Sequence, residues 1–178
     1  MTVRIVFETH STTQDNEVGI ATGWLPGRLS ALGREQAAEL GRRRTDDGIG
    51  AVFSSDLARA TETAAIAFAG SGIPVLLDWR LRECDYGALN GSPAVEVHSH
   101  RLEHVDRPYP GGESWRQAAA RVDSFVADLR SRWSGQRVLV IGHVATRWGL
   151  DHVLTGVPVE DLAVAAFAWQ PGWEYTAD

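Results

Sequence analysis

Two histidines, an arginine and a glutamate stand where they could act together. His10 closes the run Val3-Arg4-Ile5-Val6-Phe7-Glu8-Thr9-His10, and His143 closes Arg137-Val138-Leu139-Val140-Ile141-Gly142-His143. Both runs are apolar, strand-like and end in polar groups. Arg59 falls in the first turn of a helix expected after a strand at 50–55, and Glu83 follows a strand expected at 73–79. Ligands of parallel sheets bind beyond the carboxyl ends of the strands, so the four places converge on one edge. Two imidazoles, a guanidinium and a carboxyl suit phosphoryl transfer, which needs a nucleophile, cationic donors for the phosphoryl oxygens and an acid for the leaving alkoxide. None of these roles requires a metal.

The elements that must hold these groups follow from periodicity. Strand-like runs at 3–9, 50–55, 73–79 and 137–143 alternate with helical stretches, the punctuation of an α/β fold. One helix is expected from Ser30 to about Asp46 on a stripe of Leu32, Gln36, Ala37 and Leu40, with Arg42, Arg43 and Arg44 at the end where the dipole favours cations. A second spans about Asp56–Ala69 through Leu57, Ala60, Ala64, Ala67 and Phe68. Ser114 and Gln117 form a capping box for a third, whose buried face is Trp115, Ala118, Val122, Phe125, Val126, Leu129 and Trp133. A fourth runs from Thr146 to about Leu154. From Asp85 to Gly112 the pattern dissolves into Gly, Pro, Asn and His, and so long an irregular segment reads as a partial lid over the site. Residues 1–178 are expected to form a single domain.

Composition narrows the function. A net charge of −6 argues against a nucleic-acid partner, while a small phosphorylated metabolite needs only a local positive pocket. Cys84 is the only cysteine, so an internal disulfide and a cysteine-rich zinc site are excluded. All 17 basic residues are arginine, which excludes lysine Schiff-base chemistry and a Gly-Lys-Ser/Thr phosphate loop. Neither a leader nor a long apolar run directs the chain to a membrane, and a cytoplasmic protein is expected.

Six ordered segments carry a resemblance to the histidine phosphatases, the superfamily that includes the cofactor-dependent phosphoglycerate mutases. They are Thr9-His10-Ser11 with Thr13 and Asn16; Leu29-Ser30 with Gly33 and Gln36-Ala37; Ser54-Ser55-Asp56-Leu57-Ala58-Arg59-Ala60 with Thr63-Ala64; Leu81-Arg82-Glu83 with Gly87 and Gly91; Pro110-Gly111-Gly112-Glu113-Ser114; and Gly142-His143. The resemblance spans nearly the whole chain. It implies a three-layer αβα sandwich with a mostly parallel central sheet, and no cofactor or metal. By the same resemblance His10 becomes phosphohistidine, Arg59 and His143 bind the phosphoryl group, and Glu83 donates the proton. Such a nucleophile must be neutral, with its second ring nitrogen donating to a fixed acceptor such as a backbone carbonyl. Glu83 must hold a proton near neutral pH, which burial and a dianionic substrate would favour, giving a pH profile that falls on the alkaline side. Asp85 is close enough in sequence to share that role.

The first segment departs from the family pattern. Thr9 stands where the family has arginine and Ser11 where it has glycine; both offer hydroxyls to a substrate but no charge. Val144 replaces a usual glycine. Three readings follow: turnover with a weaker phosphate clamp, a clamp completed by another arginine (Arg28, Arg82 or Arg147), or phosphate binding without catalysis. Thr13 and Asn16 either bind phosphate oxygens or cap the loop. His98, His100 and His104 do not share one face of a regular element, which disfavours a metal site; on a lid, a protonated one would help hold an anion at mildly acidic pH. Trp24, Trp169 and Trp173 fall in loop-like or terminal stretches, and any that face the site would imply a substrate with an apolar or aromatic part. The expected activity is metal-independent hydrolysis of a small phosphate monoester. A catalytically weakened phosphate-ligand binding protein is the alternative, a mutase is less favoured for so short a chain, and a homodimer is left open.

Overall fold

Strands buried on both faces dominate the centre of the molecule, as a parallel sheet covered by helices requires. A computed structural model describes residues 2–178. The strands are β1 (Val3–Thr9), β2 (Ile20–Ala21), β3 (Ala51–Ser54), β4 (Val75–Leu77), β5 (Ser92–Pro93), β6 (Arg137–Gly142) and β7 (Trp173–Ala177). Between them lie helices α1 (Gln14–Glu17), α2 (Ala31–Arg44), α3 (Ala58–Ala67), α4 (Ala94–Ser99), α5 (Trp115–Arg132), α6 (Val144–Thr155) and α7 (Val159–Val164). The main sheet has the order β4-β3-β6-β1-β7, parallel except for β7, which runs antiparallel to β1. β2 and β5 form a separate antiparallel pair.

Alternation along β1 assigns the layers. Val6 packs with Leu40 of α2 and Ala60 and Ala64 of α3 on one face. Ile5 and Phe7 pack on the other with Val122, Phe125, Val126 and Leu129 of α5 and Leu150 of α6. A further cluster, including Tyr86, Val97, Tyr109, Trp115 and Trp148, draws on α4, α5, α6 and the loops around them. The result is the αβα arrangement expected from the sequence. Thr9 pairs with Gly142, so β1 and β6 end side by side and release His10 and His143 as neighbours.

Several elements differ from expectation. Leu32 is 50% exposed and Gln36 is exposed; the buried face of α2 is instead Gly33, Ala37, Leu40 and Gly41. Close approach is the reason: a Cβ on Gly33 would stand 1.9 Å from the Thr12 carbonyl oxygen, so the helix seats its smallest residue against the loop that follows His10. β4 is only three residues long, and Asp78 then caps a short 3-10 turn over Trp79–Leu81. Residues 85–112 are not structureless, since they contain β5, α4 and 3-10 turns at Gly87–Leu89 and Arg101–His104. β7 was hidden in the tail, although Trp173, Tyr175 and Ala177 alternate with exposed Glu174 and Thr176 as a one-faced strand should. Trp173 is thus a sheet residue, packed 5.6 Å from Phe7 between ring centroids. The capping box of α5 forms as read, and Trp133 at its end is half-buried against the core. Among the described residues no helix is long and apolar enough to cross a membrane.

Candidate active site

His10 leaves β1 into the loop that begins at Ser11, and that loop fixes its ring. Nδ1 lies 2.8 Å from the Ser11 carbonyl oxygen. A carbonyl only accepts, so Nδ1 carries the hydrogen and Nε2 keeps its lone pair. Burial, then the Arg59 guanidinium, holds the His10 pKa down at about 3, and the ring is neutral at physiological pH. The loop itself is pinned: the Ser11 amide donates to Thr63 Oγ1 at 3.0 Å, and the Thr12 amide to Gln36 Oε1 at 2.9 Å.

His143 caps α6, which begins at Val144, two positions before the start expected from periodicity. Its amide donates to Thr146 Oγ1 at 3.0 Å, and that hydroxyl donates to the Leu81 carbonyl at 2.7 Å. Such a corner tolerates only glycine before the histidine, because a Cβ on Gly142 would stand 2.3 Å from Thr146 Oγ1. The His143 ring centroid is 5.0 Å from that of His10. Nε2 is 2.9 Å from Ser55 Oγ, whereas Nδ1 is buried with no partner among the described residues. Burial and the nearby Arg59 and His10 hold this imidazole well below its ordinary pKa. Glu83 reaches the same corner, its Oε1 accepting from the amides of Cys84 at 2.8 Å and Ala145 at 3.1 Å. Asp85, the competing carboxyl, accepts instead from Gly87 N and Asn90 Nδ2.

Arg59, in the first turn of α3, is 3% exposed and has no carboxylate partner among the described residues. Its guanidinium donates to the Gly23 carbonyl at 2.9 Å and the Leu25 carbonyl at 3.4 Å. Burial lowers its pKa, yet an arginine stays charged. None of Arg28, Arg82 and Arg147, the candidates under one of the three readings for completing the clamp, lines the cavity. Arg28 is exposed, Arg82 grips Asp56 through two bonds of 2.7 and 2.6 Å, and Arg147 is 2.8 Å from Asp151 and lies over Trp173. Arg43 does reach the cavity wall, but it and Arg44 both pair at 2.8 Å with Glu8, which is 1% exposed.

A cavity of about 1050 Å³ joins these groups. Thr9, His10, Ser11, Asn16, Arg59, Glu83 and His143 all line it. Thr13 does not; it caps α1, accepting from the Asn16 amide while its own amide donates to Asn16 Oδ1. His98 lines the wall without its expected charge, because desolvation and then Arg101 hold its pKa at about 4. His100 faces Glu103, and His104 stacks on Tyr109 at 3.8 Å. No group of three or more potential metal ligands occurs among the described residues. Sequence reasoning missed Arg101, Phe167 and the pairing of Glu8, and only Glu8, a carboxylate inside an apolar strand, carried a local signal.

Comparison with known proteins shows the family and the fold. Residues 5–168 match the family model described as histidine phosphatase superfamily (branch 1). A 2,3-bisphosphoglycerate-dependent phosphoglycerate mutase from Methylobacterium radiotolerans is 36% identical over 90% of this chain and 84% of its own. Among solved structures, a mycobacterial glucosyl-3-phosphoglycerate phosphatase complexed with VO3 superposes with a TM-score of 0.81 at 28% identity, covering 92% of this chain and 87% of that one. The α-ribazole phosphatase of Shigella flexneri gives 0.79 at 27% identity, covering 89% and 83%.

Proposed function

This chain belongs to the histidine phosphatase superfamily, and from that premise we propose that it hydrolyses a small phosphate monoester through a phosphohistidine on His10, without a metal. The observation that carries the reading is the state of His10: neutral, with Nδ1 tied to the Ser11 carbonyl and Nε2 left with its lone pair, in a cavity shared with an arginine that forms no ion pair with any described carboxylate.

In the first step His10 Nε2 attacks phosphorus, the P–N bond forms and the ester P–O bond breaks. The departing alkoxide takes a proton from the Glu83 carboxyl. In the second step water attacks the phosphohistidine, giving its proton to Glu83 as the P–N bond breaks and phosphate leaves. Arg59 holds the phosphoryl oxygens during both transfers, and one such oxygen supplies the partner that His143 Nδ1 lacks. Thr9, Ser11 and Asn16 contribute neutral hydrogen bonds.

The alcohol part of the substrate has an apolar or aromatic portion in this reading, because Phe167 and Trp169 line the same cavity while 40% and 63% exposed. From residues 85–112, read as a partial lid, Tyr86, Ala94, His98 and Arg101 line the same cavity. Wild type and His10→Ala are to be incubated with an aryl phosphate and assayed for acid-labile, base-stable protein-bound phosphate. The expected result is a loss of turnover on the order of 10⁴-fold or more in the variant, together with its phosphoprotein. Turnover that survives the substitution sinks the mechanism; binding without turnover in the wild type leaves a phosphate-ligand binding protein, and return of the phosphate to a product hydroxyl identifies a mutase.

A further inference from the structure

We propose that Arg101 supplies the second positive charge for the phosphoryl group, a binding role that completes the site where Thr9 offers none. The inference rests on the phosphatase reading above and deepens it.

Charge balance raises the need. A phosphate monoester carries roughly −1.5 to −2 charges near neutral pH. At the phosphoryl end of the cavity both imidazoles are neutral, Thr9 and Ser11 are uncharged, and Arg59 is the guanidinium whose charge bears on both rings; Arg121 also bears on His143 but is paired with Glu113. Arg43 lines the cavity too, but buried Glu8 already neutralises it. A dianion in this setting is left with about one uncompensated charge in a partly desolvated site, a costly arrangement.

Arg101 answers the need by position and by lack of other partners. It lines the cavity that holds His10 and Arg59. Its side chain makes no ion pair or hydrogen bond with any described residue, and its Nε is buried without a partner. The guanidinium is carried instead on two indole rings, its Cζ 5.1 Å from the Trp148 centroid and 5.7 Å from that of Trp115. Those rings belong to α6 and α5, which cover one face of the sheet. By the alternation of β1, Thr9 lies on that same face with Ile5 and Phe7. A cation stacked on aromatics keeps its edge N–H donors for an anion. The side chain is thus oriented by packing, with its donors unused, on the side of the nucleophile that lacks a charge.

A probe whose only anionic group is the phosphoryl separates this role from recognition of a second acid elsewhere on a substrate. The experiment measures calorimetric binding of inorganic phosphate and kcat/KM for an aryl phosphate in wild type, Arg101→Gln and Arg101→Lys, with thermal midpoints as the check on folding. Arg101→Gln is expected to weaken phosphate binding and kcat/KM by about 10- to 100-fold, and Arg101→Lys to recover part of the loss. Thr9→Arg placed in the Arg101→Gln protein is expected to restore phosphate affinity. Folded Arg101→Gln that binds phosphate as the wild type does overturns the proposal and leaves the phosphatase reading standing. An effect confined to phosphorylated carboxylic acids also overturns it, by assigning Arg101 to the other end of the substrate. A wild type that binds no phosphate and turns nothing over overturns both readings.

Discussion

The inner wall and the rim of one cavity are built by opposite means. Around His10, polar groups are held by short chains of backbone contacts: Ser11 to Thr63, Thr12 to Gln36, Ala145 to Glu83, and Arg59 to the Gly23 carbonyl. At the rim, Phe167 and Trp169 stand in the open. Chemistry that moves phosphorus needs atoms fixed before the substrate arrives, whereas recognition of an alcohol of varied shape does not. Under the proposed mechanism the wall would set the reaction and the rim the choice of substrate.

Substitutions on the wall test this division most severely. Glu83→Gln keeps a side-chain oxygen for the amides of Cys84 and Ala145 but removes the acidic carboxyl proton. It is expected to lower kcat by about 10² to 10⁴-fold with little change in thermal midpoint. A large fall in the midpoint would make Glu83 a structural member of the corner instead. Arg59→Ala is expected to cost about 10² to 10³-fold in kcat/KM by steady-state assay. Because it also strips the Gly23 carbonyl of a donor, denaturant unfolding should show a loss of about 1–3 kcal/mol.

A gentler probe is pH. The His10 pKa is about 3 in the folded protein against 6.5 as its ordinary value. Between those values the unfolded chain binds more protons than the native one, so stability rises with pH through this window and the gain is complete above 6.5. Urea midpoints measured at several pH values from 4 to 7 should therefore climb in the wild type and climb less in His10→Asn, a comparison that equal slopes would refute. The smallest effect belongs to the rim: Trp169→Ala should raise KM for aryl phosphates by roughly two- to fivefold. Its kcat should not move, and a matched fall in kcat would erase the distinction between rim and wall.

What the sequence disclosed follows the same boundary. His10, His143 and Arg59 were readable because each follows the end of an apolar run, and α5 because its cap and its stripe agree. β7 escaped because five alternating residues behind a Pro-Gly turn look like a tail until β1 is there to pair with them. Leu32 misled because helical spacing does not say which stripe faces inward, a matter settled by how closely Gly33 approaches Thr12. Arg101 gave no signal: what distinguishes it is an unpartnered Nε buried against two indole rings on the wall of the cavity, and that is a property of three dimensions. The arginines nearest in sequence to the site segments were, by contrast, already engaged or exposed.

The corner at Gly142-His143 ties assembly of the site to the integrity of a helix. The first turn of α6 gives its Ala145 amide to Glu83, and its Thr146 hydroxyl bonds both the His143 amide and the Leu81 carbonyl. Fraying that turn would loosen Glu83 and His143 together, leaving Glu83 only the Cys84 amide and His143 only the Ser55 hydroxyl. The corner and the helix start would then open as one unit, and solvent exchange of the Ala145 amide would serve as a clock for how often it does.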